Sequence, residues 1–246
     1  MDYSEDVHAK LAARHYLYGL FQALFGSEPT EQLLGAVDSG VAAEALSISL
    51  LPGVAQAEAE RLLESLEDPA DRLASMERDY AHAFIGPHEL PAPPWESVYA
   101  GNKRLLFQAS TLEIRDLYRS QGLLPEQYPR VADDHLALEL DFLARLAERA
   151  LHAYALRAGS AHAGERLSDQ TERGGSAKGD EAFAEAVCAS LSFATDHLGA
   201  WVGAFSRDLV AWNSGSLYAD AAVVLAAFVQ ADEGFLAQLE VVAEHV

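Results

Sequence analysis

Apolar residues recur at helical spacing along almost the whole chain, while the alternation that a strand requires is missing. Leu17, Phe21 and Leu24 share one helical face, widened by Leu20 and Phe25, and Gly26 and Pro29 close that segment. The spacing returns from Ala55 to Leu66, where Glu67-Asp68-Pro69 interrupts it, and Pro69 suits the first turn of a helix running toward Phe84. No stretch of Val, Ile and Thr alternates over five residues, and no Asn-Gly or Asp-Gly pair marks a hairpin. Further helices are expected from about Lys103 to Gln121 and from about Asp134 to Ala155. The second has two apolar faces, Leu136, Leu140, Leu143 and Ala147 on one and Leu138, Phe142 and Leu146 on the other, which places it at the centre of the fold. Helices near Glu181–His197, Leu198–Trp212, Leu217–Gln230 and Asp232–Glu244 follow, with Asp232 as N-cap of the last. The expected fold is all-α: residues 1–246 as one helical-bundle domain of roughly ten or more helices.

Two stretches break the pattern. In Gly86-Pro87-His88-Glu89-Leu90-Pro91-Ala92-Pro93-Pro94, four prolines within eight residues forbid a regular helix. Trp95, Val98 and Tyr99 follow at once, more aromatic and apolar surface than a plain linker carries. The second stretch, Ala158 to Asp180, is rich in Gly, Ser and charge, and its composition predicts a flexible, solvated loop.

Charge narrows the partners. With 38 acidic against 17 basic side chains the net charge is −21, the wrong sign for neutralising nucleic-acid phosphates or docking on an anionic membrane. It suits a cationic partner. The acidic start, Met1 to Asp6, lacks the basic region of a secretory signal, and the longest apolar run, Ala221 to Val229, is too short to span a bilayer. The expected location is the cytoplasm, without stable membrane insertion. A single cysteine, Cys188, excludes an internal disulfide and is read as a buried, inert thiol.

The chemistry-bearing patterns are sparse. Glu5-x-x-His8 has the spacing of a di-iron bundle motif, but such a site needs two copies. His135 and Glu139 lie one helical turn apart, and no further histidines are spaced to complete a metal site. No Gly-x-Ser-x-Gly elbow occurs, and Gly174-Gly175-Ser176-Ala177-Lys178-Gly179 has no strand before it to make a phosphate loop. Nothing here argues for an enzyme, a resident metal or a cofactor.

The two unusual segments resemble a family signature. Phe84-Ile85-Gly86-Pro87-His88-Glu89-Leu90-Pro91-Ala92-Pro93-Pro94-Trp95-Glu96-Ser97-Val98-Tyr99 is similar to the proline-rich motif of the TorD/DmsD redox-enzyme maturation chaperones. Asp134-His135, heading Leu138-Glu139-Leu140 and Phe142-Leu143, resembles the family's second motif, although Asp133 stands before the pair where many members carry Pro or Glu. Asp196-His197-Leu198-Gly199-Ala200-Trp201 and the tail through Phe235 extend the likeness from about Leu11 to about Leu239. The resemblance implies an all-helical cytoplasmic chaperone and not a catalyst. It implies binding of the twin-arginine signal peptide and apoprotein of a molybdopterin oxidoreductase precursor, which is held back from export until its cofactor is inserted. By position it carries peptide binding to Pro94, Trp95, Asp134 and His135, with Gly86, Pro87, Pro93, Ser97, Tyr99 and Glu139 in support. Client and oligomeric state, monomer or homodimer, are left open by it.

The residues admit a second role at each of these positions. Trp95 serves equally as a core residue beside Val98 and Tyr99 or as a face for a guanidinium. Asp134 is suited to cap its own helix, and Asp134 with His135 is also suited to tie the two motifs together. His135 stands in the first turn, where the helix dipole disfavours its cation and the acidic neighbours favour it. Two other functions remain beside the chaperone: a protein handling a nucleotide or the molybdenum cofactor, and a helical metal-dependent hydrolase using Asp134, His135 and Glu139.

Overall fold

The computed structural model describes residues 3–67, 72–87, 89–100, 109–124, 132–164 and 170–243, with the side chains of 3–5, 109–110, 158–164, 170–177 and 242–243 left out. Eleven α-helices occur among them: α1 (Tyr3–Gly26), α2 (Glu31–Gly35), α3 (Ser39–Ser49), α4 (Gln56–Glu67), α5 (Leu73–Tyr80), α6 (Glu96–Ala100), α7 (Ala109–Ser120), α8 (Leu136–Gly164), α9 (Gln170–Phe193), α10 (Gly199–Asn213) and α11 (Leu217–Ala243). Two π-turns, Ala81–Ile85 and Ala194–Leu198, continue α5 and join α9 to α10. No strand occurs among the described residues, where the one β-bridge is the antiparallel pairing of Trp95 with His135.

The all-α expectation holds, and so does the central place of α8. It packs along α1 on one side and α9 on the other. Leu136, Leu140, Leu143, Leu146 and Ala147 are all fully buried, and Phe142 nearly so. The α1 face read from sequence, Leu17, Leu20, Phe21, Leu24 and Phe25, is buried throughout. Phe25 meets Phe84, Phe205 and Tyr218 in an aromatic cluster that joins α1, the first π-turn, α10 and α11. A smaller core of Val7, Leu11, Ala150, Phe183 and Leu236 closes another part of the bundle. Local chemistry sets the shorter helices: Thr30 Oγ1 accepts the Leu33 N–H at 3.1 Å, and Asp38 Oδ1 accepts the N–H groups of Gly40 and Val41. Gly86 ends the first π-turn at φ 95°, a conformation that a side chain would strain.

Four readings are corrected. The stretch 158–180 is not one loop: α8 continues to Gly164 and α9 begins at Gln170, leaving 165–169 outside the described residues. Ala, Glu, Arg, Lys and Gln there are good helix formers, and each interior Gly costs only about 1 kcal/mol against Ala. The Gly174–Gly179 run therefore lies inside a helix. Asp232 does not cap a last helix, because α11 runs unbroken through it and Asp232 is buried in an ion pair with Arg14. Cys188 is exposed, one residue off the α9 face that buries Ala186, Val187 and Ser190, and its thiol donates to Glu240 Oε1 at 3.0 Å. By length and composition Leu217–Val241 is apolar enough to cross a membrane, yet Ala221, Ala222, Val224, Leu225, Phe228 and Val229 are packed in the protein core. Pro69, His88 and the expected helical start at 103–108 lie outside the described residues.

Candidate functional site

The two motif segments meet. Proline has no N–H to donate, but its carbonyl still accepts, and Pro94 O takes the Leu136 N–H at 2.9 Å. Asp134 O takes the Glu96 N–H at 3.0 Å, which completes the bridge between Trp95 and His135. Asp134 is fully buried, and its Oδ2 accepts the Ser97 N–H at 2.9 Å. It therefore caps α6, a helix from the other motif, and not the helix that it precedes. The cap of α8 is His135, whose Nδ1 accepts the Ala137 N–H at 3.1 Å.

That bond requires an unprotonated Nδ1. Burial lowers the His135 pKa to about 4, against the opposing pull of Asp134, so desolvation decides the sign and the ring is neutral at physiological pH. The ring stands edge-on to Trp95, with centroids 5.3 Å apart, and both side chains are half-buried.

Beneath them lies an acid-rich centre. Glu139 is fully buried and points to α10, where the Trp201 indole N–H donates to its Oε2 at 3.1 Å. Burial, then the neighbouring charge of Glu96, raises the Glu139 pKa well above the usual carboxylate range; the Trp201 bond opposes this and Asp134 adds to it. The neutral acid is favoured. Glu96 accepts from His197 Nδ1 at 3.1 Å, and Asp133 is paired with Arg115 on α7 at 2.6 Å. Asp134 Oδ1 and Glu139 Oε1 are buried with no hydrogen-bond partner among the described residues.

Of the residues singled out from sequence, Trp95 and His135 present surface, Pro94 and Asp134 are buried, and Pro93 is partly covered. Ser97 is buried and linked to Asp134, and Tyr99 stacks on Trp201 with centroids 5.4 Å apart. Gly86 and Pro87 end the π-turn at the start of the segment, with Pro87 exposed. His135 and Glu139, one turn apart, go to different partners. Among the described residues no three His, Cys, Asp or Glu side chains converge to hold a metal ion. Sequence reasoning missed Glu96, His197 and Trp201 as parts of the centre. Glu96 lay in plain view inside the first motif, and His197-x-x-x-Trp201 has the one-turn spacing that puts both on one helical face.

Comparison with known proteins shows the family of the chain. Residues 50–207 match the family described as nitrate reductase delta subunit. The chain is 28% identical over 229 residues to the Chaperone protein TorD of Vibrio cholerae, covering 92% of this chain and 93% of that one. It is 25% identical to the Chaperone protein TorD of Aliivibrio salmonicida over 71% of this chain and 70% of that one. Over 78 residues, 32% of this chain and 38% of the relative, it is 37% identical to the Tat proofreading chaperone DmsD of Salmonella typhi.

Proposed function

The chain belongs to the nitrate reductase delta subunit family, among the TorD/DmsD chaperones of redox-enzyme maturation, and on that premise we propose that it works in the cytoplasm by binding the twin-arginine signal peptide of a molybdopterin oxidoreductase precursor. Binding keeps the precursor from export while its cofactor is inserted. The chain contributes recognition and timing, not catalysis.

The observation that carries this reading is the junction of the two motifs, with the half-buried rings of Trp95 and His135 above an acid-rich centre. A signal peptide of this kind offers paired arginines and then an apolar stretch. Trp95 supplies apolar area and a ring face for a guanidinium. Carboxylates nearby supply potential of the right sign, and the overall charge of −21 speeds the encounter. Pro94 and Asp134, both buried, position these rings from below.

A synthetic twin-arginine signal peptide titrated into the full chain tests this. One site is expected, weakened by changing both arginines to alanine, by truncating the apolar stretch, and by high salt. Trp95→Ala is expected to lower affinity about tenfold at unchanged Tm. Asp134→Asn keeps an oxygen for the Ser97 N–H, so it is expected to lower Tm more than affinity. Failure of every twin-arginine peptide to bind would sink the proposal, and full affinity in Trp95→Ala would remove the junction from it.

A further inference from the structure

Glu139 lies in the two-motif junction, fully buried, and its surroundings supply little to hold a negative charge. Its Oε2 accepts the Trp201 indole N–H at 3.1 Å, and its Oε1 has no hydrogen-bond partner among the described residues. A buried carboxylate is held by a countercharge or by several donors, and one indole N–H is neither.

The elements packed around Glu139 bring acids rather than cations. Burial is the first obstacle to a charge there, Glu96 of α6 is the second, and Asp134 from the turn before α8 adds to both, with the Trp201 bond opposing them. From α7 comes the buried Tyr118, which feels the same group of acids, Glu139, Asp133, Asp134 and Glu96. The cations nearby are engaged elsewhere: Arg115 of α7 pairs with Asp133 at 2.6 Å, and His197 of the second π-turn bonds Glu96 at 3.1 Å. Among the described residues no cation is paired with Glu139. The centre is short of positive charge, and positive charge is what a twin-arginine peptide brings.

The place where that charge would arrive is close. His135 precedes Glu139 by about one helical turn, ~6 Å along the axis, and its half-buried ring stands edge-on to Trp95 with centroids 5.3 Å apart. At an effective dielectric of about 20, a unit cation about 8 Å from a carboxyl group favours its ionised form roughly thirtyfold, and a second cation multiplies the effect. The arginines therefore need not touch Glu139 to ionise it.

We propose that Glu139 is the residue by which the junction selects a cationic segment: it is protonated in the free chain, loses its proton to the buffer when arginines seat over Trp95 and His135, and then attracts them as a carboxylate. This role rests on the twin-arginine reading, since only a cationic partner brings a guanidinium to these rings. Affinity for such a peptide rises with pH wherever the free chain holds the proton and the complex does not, by at most about tenfold per pH unit.

The test is isothermal titration of the full chain with an acetylated, amidated twin-arginine signal peptide at pH 6, 7 and 8, each in buffers of low and high ionisation heat. The difference in heat between the buffers counts the protons released. Release approaching about one proton per peptide is expected in part of this range. Glu139→Gln is expected to bind with no release, to match the wild type near pH 5.5, and to bind about tenfold more weakly than it at pH 8. Trp201→Phe removes the donor that favours the carboxylate, and is expected to move the onset of release to higher pH. Binding of the peptide with no proton release at any of these pH values, or with release that persists in Glu139→Gln, overturns the role of Glu139 and leaves the twin-arginine reading standing. Absence of any peptide binding overturns both.

Discussion

Two buried polar clusters tie distant parts of this chain, and they handle charge in opposite ways. In the tie between α1 and α11, Arg14 faces Asp232 with the Tyr18 hydroxyl beside them, one permanent cation against one anion. In the two-motif junction the acids outnumber the cations: Glu96, Asp134 and Glu139 meet His197, the Ser97 N–H and the Trp201 indole. The first is held by countercharge. The second is held by backbone donors and by shifts in protonation, Glu139 toward the neutral acid and His135 toward the neutral base. Burial forces that outcome wherever a countercharge is missing, since an isolated buried charge costs more than moving a proton. The junction should therefore respond to pH.

The largest effect is expected from breaking the balanced tie. Arg14→Ala leaves Asp232, 2% exposed, as an unpaired buried charge, and a loss of about 3–5 kcal/mol is expected in urea unfolding. Arg14→Met with Asp232→Leu removes both charges and is expected to recover most of that loss, with the Tyr18 hydroxyl left without its acceptor. If Arg14→Ala costs less than about 1 kcal/mol, the pair behaves as a surface pair and the contrast fails.

Next comes the acid that stands without countercharge. The folded pKa of Glu139 is raised, so the stability that it contributes is present below the unfolded pKa and is lost as pH rises through the folded value. Glu139→Gln keeps the shape and an acceptor for Trp201 but cannot ionise. Equal stability at pH 4 and greater stability of the variant at pH 8 are expected from urea unfolding at the two pH values. A variant no more stable at pH 8 would show that the carboxylate is better tolerated there than burial allows.

These clusters also mark how far the sequence could be read. Helical periodicity led to α1 and α8 because their core faces carry uninterrupted apolar spacing. It misread Asp232, since an acid after an apolar run looks like a cap until its partner, Arg14, is known to pack against it from the far end of the chain. The motifs led to Trp95, Asp134 and His135, yet the cap of α8 is His135 and not Asp134, which serves α6 and so ties the two motifs together. No local pattern states which of two adjacent polar residues turns toward a distant backbone. Glu96 and His197 were missed for the same reason, their bond being made by the chain's three-dimensional path. The reading of 158–180 failed differently. There Gly and Ser were weighted as breakers in a stretch whose remaining residues favour helix.

The smallest effect belongs to His135, and it sharpens the contrast most. Removing its cap by His135→Ala is expected to cost about 1 kcal/mol at pH 7. The folded pKa of about 4 lies below the ordinary value of 6.5, so between them the unfolded chain takes up a proton that the folded chain refuses. Stability due to His135 is therefore present above pH 6.5 and is lost as pH falls toward 4. Urea unfolding of the two proteins at intervals from pH 7.5 to 4.5 should show the wild type losing its advantage and the curves converging. Glu139 acts with the opposite sign over pH, so the comparison is cleanest in the Glu139→Gln background, where only the imidazole slope remains. Repeating it with the Arg14→Met, Asp232→Leu pair in place should leave that slope unchanged, because the charge acting on His135 is that of Asp134. A slope that changes with that pair would mean the two clusters share one electrostatic field and are not separate ties.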